Sequence, residues 1–121
     1  MKREILDIQN LSQAKKELSQ IKAEEVSIDI MAPKAVFRVV KLFDVHPAAA
    51  NIIKQEMLAI GGETAVARGC VNMSVEKSDI IIMGTLKQYK KLLAKLKMQK
   101  GYFGLNEIIE ELTDIIEEMS K

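Results

Sequence analysis

The chain has 121 residues, a formal net charge of +1, 48% hydrophobic and 29% charged residues, which sets it as one folded domain and excludes a disordered tail. Its aromatic residues are Phe37, Phe43, Phe103, Tyr89 and Tyr102, with no Trp, so the core is aliphatic. Near-neutral charge gives no bias toward nucleic acid or acidic substrates, one cysteine excludes an internal disulfide and fits a reducing cytoplasm, and neither a signal peptide nor a membrane-spanning run is visible.

Leu11, Ala14, Leu18 and Ile21 stand at helical spacing, with Asn10 or Ser12 as the cap. Val26 to Met31 alternates apolar and polar residues, which predicts a half-buried strand that Pro33 interrupts. Val36 to Val45 predicts a second strand. Pro47 fits a first helical position, and Asp44 or His46 is placed to serve the open N–H groups there. Ile53, Met57 and Ile60 give that helix its stripe, and Gly61-Gly62 ends it. Thr64 to Val75 predicts a third strand, loosened by Gly69. Ile80 to Met83, apolar without alternation, predicts a central strand covered on both faces.

Thr85 and Gln88 match a capping box, which opens a helix bearing Tyr89, Leu92, Leu93 and Leu96. After Gly101 and Gly104, a last helix places Leu105, Ile108, Ile109, Leu112, Ile115, Ile116 and Met119 on one face. The predicted fold is therefore α/β (α+β): a four-stranded mixed sheet with about four helices. Val36 to Met98 reads βαββα, most of a ferredoxin-like unit, and the Val26 strand would fill the remaining edge. Residues 1–121 read as a single α/β domain.

His46, the only histidine, sits beside Asp44 at a strand-to-helix junction, where helix N-termini favour anions. It reads either as a base or anion contact or as a helix cap, and the cap is favoured because no serine or second histidine is available as partner. Asp44, His46, Asn51, Lys54 and Arg68 form a candidate ligand set at this helix start. Gly61-Gly62-Glu63 follows a helix rather than a strand, so it is a helix stop and not a phosphate loop. Cys70 reads as a buried small residue unless Arg68 and His46 surround it. Six lysines and no acid lie between Lys87 and Lys100, and six acids and no base between Glu107 and Glu118. Complementary solvated faces account for these runs better than RNA binding, which would want paired aromatics on the sheet. No catalytic triad, dinucleotide fingerprint or metal set appears, so no cofactor is expected.

Taken together, Met31-Ala32-Pro33-Lys34, the run Asp44 to Leu58, Gly61-Gly62-Glu63, Met83-Gly84-Thr85-Leu86 and Gln88-Tyr89 resemble the region that precedes the pterin-binding barrel in some dihydropteroate synthases of anaerobic bacteria. The resemblance covers roughly Ile30 to Thr113. That family makes dihydropteroate from 4-aminobenzoate and a pterin diphosphate, usually with magnesium, in a (β/α)₈ barrel of about 250 residues. This chain lacks the barrel, and no barrel residue is carried over. The resemblance implies a non-catalytic, cytoplasmic accessory domain of a folate-pathway protein. It would dock on the synthase barrel or on a second copy, using the last helix and the Lys87–Lys100 face. A pterin- or anion-binding module is the alternative, and an RNA-binding ferredoxin-like domain a weaker one.

Overall fold

In the computed structural model, residues 1–121 are all described. Helix α1 (Leu11–Gln20) starts at Asn10, whose side chain accepts the Gln13 N–H at 3.0 Å. Helix α2 (Glu25–Ala35) follows, where the alternation had predicted a strand. Ile28, Ala32 and Val36 stand four residues apart and are buried, while Val26 and Ile30 face solvent. The helical repeat therefore wins over the shorter alternation. Pro33 is tolerated because the carbonyl it leaves unpartnered belongs to Asp29, an exposed residue that water can serve.

Strand β1 (Phe37–Val45) leads into helix α3 (Pro47–Ala59), and Gly61, at φ +89°, releases the chain after it. Of the predicted third strand, Thr64 to Val75, only the first two residues are extended, within β2 (Glu63–Ala65). The rest turns through a short 3-10 segment at Arg68–Cys70. Strand β3 (Ser78–Thr85), helix α4 (Leu86–Lys97) and helix α5 (Leu105–Met119) complete the chain. The capping box at α4 forms in both directions: Gln88 N–H donates to Thr85 Oγ1 at 3.2 Å, and Thr85 N–H to Gln88 Oε1 at 2.9 Å.

The sheet is three-stranded and antiparallel, in the order β1-β3-β2, rather than four-stranded and mixed. The run β1-α3-β2-β3-α4 keeps the ferredoxin-like path. The strand that would flank β1 is missing, since the Val26 segment is helical. The outer edge of β1 is left open as a result.

Register divides the sheet into two unlike faces. On one, Ile82 of the central β3 pairs with Val40 on one side and Thr64 on the other, and Ile80 pairs with Leu42. This face meets Ile53 and Met57 of α3, Tyr89, Leu92 and Leu96 of α4, and Leu105 and Leu112 of α5 in the core. A Cβ at Gly84 would lie 2.5 Å from the Met57 methyl, so the helix packs where that side chain is absent. On the other face, Met83 of β3 pairs with Val39 and Glu63, and Ile81 with Lys41 and Ala65. None of these residues belongs to the core. Strand β3 is thus central, but helices cover only one of its faces.

Tyr89 ties the layers together. It is fully buried, and its hydroxyl lies 3.0 Å from the Arg38 carbonyl of β1 and 3.1 Å from the Ile82 carbonyl of β3. Burial pushes its phenol well above the ordinary 10.0. The folded state holds this proton more tightly than the unfolded state, so the contribution is complete below pH 10 and declines as pH rises beyond it. Tyr89→Phe should cost about 1–2 kcal/mol in urea unfolding at pH 7 and should flatten the loss of stability above pH 10. Equal midpoints for both proteins at pH 7 would contradict this role.

Candidate functional site

At the end of β1 the register breaks between Leu42 and Val45, and Asp44 takes φ +55°. Its backbone N–H donates to Asp79 Oδ1 at 3.0 Å, which holds the bulge from the neighbouring strand. The bulge turns the chain so that His46 caps α3: Nδ1 accepts the Ala48 N–H at 3.0 Å. That bond makes Nδ1 the acceptor, so Nε2 carries the proton in the neutral ring. The ring of His46 stacks on Phe103, with centroids 4.7 Å apart and planes 24° apart. Phe103 and Gly104, both at positive φ, form the loop that brings α5 to this corner.

These elements enclose an open cleft of about 720 Å³. Asp44, His46, Phe103, Glu76, Glu107 and Glu111 are among its lining residues, together with Lys41 and Lys77. Four carboxylates thus face two ammonium groups and one imidazole. The volume suits a small molecule, but the charge does not favour a polyanion.

The remaining three candidate residues lie outside this lining. Asn51 Nδ2 donates to the Cys70 carbonyl at 2.7 Å and so pins the 3-10 turn to α3. Lys54 Nζ donates to the Thr64 carbonyl at 2.9 Å and to Glu63 Oε1 at 3.2 Å. The Thr64 N–H and then Lys54 hold the Glu63 carboxyl below its ordinary range. Arg68 is exposed on the turn. The structure therefore brings Asp44 and His46 together and uses Asn51 and Lys54 to fasten β2 and its turn to α3.

Cys70 is fully buried. No three His, Cys, Asp or Glu side chains gather as a metal-binding group. The apolar stripe of the last helix completes the core, with Leu105, Ile108, Leu112 and Met119 buried. The lysines of α4 and the acids of α5 form no ion pairs with each other, and the salt bridges are Lys15–Asp29 and Lys54–Glu63. No helix is long and apolar enough to cross a membrane.

Sequence reasoning missed Phe103, Glu107 and Glu111. The Tyr102-Phe103 pair between Gly101 and Gly104 was the available signal, because two aromatics between helix-breaking glycines mark a loop with a packing role.

Parts of two dihydropteroate synthase fusion proteins are similar to this chain. One is the bifunctional dihydropteroate synthase/dihydropteroate reductase of Helicobacter pylori, 31% identical over 98 residues, which cover 81% of this chain and 25% of that protein. The other is a probable bifunctional folylpolyglutamate synthase/dihydropteroate synthase of Halobacterium salinarum, 32% identical over 108 residues, 89% of this chain and 13% of that protein. The chain thus spans a quarter or less of these relatives. The similarity associates it with dihydropteroate synthase-containing, folate-pathway proteins. No family model and no solved structure matches it.

His46→Ala should destabilise the domain by about 0.5–2 kcal/mol through loss of the α3 cap, seen as a lower denaturant midpoint. His46→Asn, a better cap, should retain the stability while removing the ring from Phe103. An unchanged midpoint in the alanine variant would show that the Ala48 bond does not hold the helix start.

Proposed function

We propose that the chain is a non-catalytic accessory domain of dihydropteroate synthase-type folate biosynthesis, acting by docking on the synthase. The observation that carries this reading is the match itself. Most of this chain corresponds to a small part of two larger proteins whose names have dihydropteroate synthase in common and differ in the second activity. A segment that accompanies the shared activity is best explained by a shared physical association with it. The site supports the same reading, because its histidine is committed to a helix cap and no nucleophile stands beside it.

Size exclusion with light scattering, on the chain mixed with dihydropteroate synthase from the same organism, tests the association. Co-migration of the two is expected. Separate elution at micromolar concentrations of both would count against docking.

A second reading, pterin binding, rests on the cleft. The stacked His46–Phe103 pair offers a flat aromatic edge, and the surrounding carboxylates are acceptors for the N–H groups of a 2-amino-4-oxo ring. One of the relatives is named for dihydropteroate reductase as well. Any reduction would need a hydride or electron donor brought as a co-substrate. Titration with dihydropteroate should shift the amide NMR signals of His46, Phe103 and Glu107; signals that stay fixed at saturating ligand remove this reading.

A further inference from the structure

The cleft beside His46 has one wall that nothing else in the molecule uses. All residues from Lys41 to His46, the last half of β1 and its exit, line it. Side chains of both strand faces share one cavity only where that cavity runs along the strand's edge. Lys41 and Leu42 pair with Ile81 and Ile80 of β3 on the inner edge. The cleft therefore lies on the outer edge, where the ferredoxin-like path lacks its strand. An unpaired edge is a template for another extended segment. The opposite wall comes from α5, where Glu107 and Glu111 stand one turn apart on the same side of the helix.

One segment of the chain is unpaired in the same way. No backbone group of Met1–Ile8 bonds to another backbone group. Met1 to Asp7 are all exposed, Ile5 by 94%. In the structure this arm lies beside α1, where Leu6 and Ile8 border a hollow with Gln13 and Lys16. Its root, however, is at the start of β1: Arg38 Nη2 donates to the Gln9 carbonyl.

We propose that Met1–Ile8 also seats on the outer edge of β1 as a fourth strand, and so closes that side of the cleft. Direction favours it. From Gln9 beside Arg38, the arm traced back to Met1 follows β1 toward Val45, so the two strands are antiparallel, as β1 and β3 are. Charge selects the register. With Gln9 beside Arg38, Ile8 stands opposite Val39, Leu6 opposite Lys41 and Glu4 opposite Phe43. Glu4 is then diagonal to Lys41, whose ammonium already lies 4.9 Å from the Phe43 ring centroid. Asp7, opposite Val40, is diagonal to Arg38. Arg3 and Lys2 reach the Asp44–Val45 end, where Glu76, Glu107 and Glu111 also line the cleft. Opposite charges at facing and diagonal positions are favourable. A slip of one residue would set Arg3 diagonal to Lys41 and Glu4 diagonal to Asp44, joining like charges. In the first register Ile5 comes opposite Leu42, in the part of the cleft that Ile108 also lines.

This closure depends neither on docking to a synthase nor on pterin binding, although a molecule entering the cleft along β1 must displace the arm. Leu6→Cys combined with Lys41→Cys tests it, because facing residues of antiparallel strands have the Cα spacing a disulfide needs. Neither residue is buried, and Cys70 is. With oxidised glutathione, the double variant of the full chain should form a disulfide at monomer size, read by intact mass as the loss of two hydrogens. Leu6→Cys with Ala65→Cys, across the sheet on β2, should stay reduced. Adding Lys2→Glu and Arg3→Glu to the first pair should slow its cross-linking by about fivefold, and further addition of Glu107→Lys and Glu111→Lys should restore it. In the unmodified chain, the amides of Arg3 to Asp7 should exchange more slowly than in a free peptide of the same sequence. A first pair that stays reduced, or arm amides that exchange as in the free peptide, would overturn the proposal. A disulfide that forms only between chains would also overturn it, by placing the arm on a second copy. Cross-linking rates indifferent to the charge reversals would overturn the register.

Discussion

The structure depends on one-sided packing of a narrow sheet, and Tyr89 is where that packing is fixed. A single phenol hydroxyl from α4 reaches carbonyls of both β1 and β3. Around it, Met57 fills the space left by Gly84. The Leu86 N–H, at the start of α4, donates to the Val36 carbonyl just before β1, at 2.8 Å. Helix α4 is therefore locked to two strands by polar bonds as well as by apolar contact. Once this face is occupied by helices, nothing in the chain remains to cover the other.

Two consequences follow for function. The bulge at Asp44 and the cap at His46 arise because β1 must turn sharply to place α3 on the covered face. The cleft beside them lies between that turn and the Phe103 loop that delivers α5. Its side chains are engaged in structure or mixed in charge, and none forms a nucleophile–base pair. The open face of the sheet, in contrast, is apolar without a structural reason within the chain. That contrast supports the association we propose.

The parts visible in the sequence were those written locally. The Thr85–Gln88 box, Pro47 at a helix start and glycine after a helix end act within a few residues, and each sits where it was expected. The stripe of α5 was legible because its repeat is long. Val26 to Met31 failed because Val26, Ile28 and Ile30 satisfy a period of two, whereas the deciding contacts of Ile28, Ala32 and Val36 run across elements. With that strand lost, the four-stranded sheet became three-stranded. The apolar run of β3 predicts cover on both faces, because such a run does not state how many layers flank it. The cap at His46 was legible because a cap site can be read from sequence. Glu107 and Glu111 were not, because only the fold carries α5 to that corner.

We propose that this domain works through a docked surface and not through a reaction of its own. Amide hydrogen exchange on the chain, with and without dihydropteroate synthase from the same organism, tests that claim most directly. It predicts slower exchange over a contiguous surface of the chain when the synthase is present at saturation. Identical exchange at every amide, with and without the synthase, would contradict it.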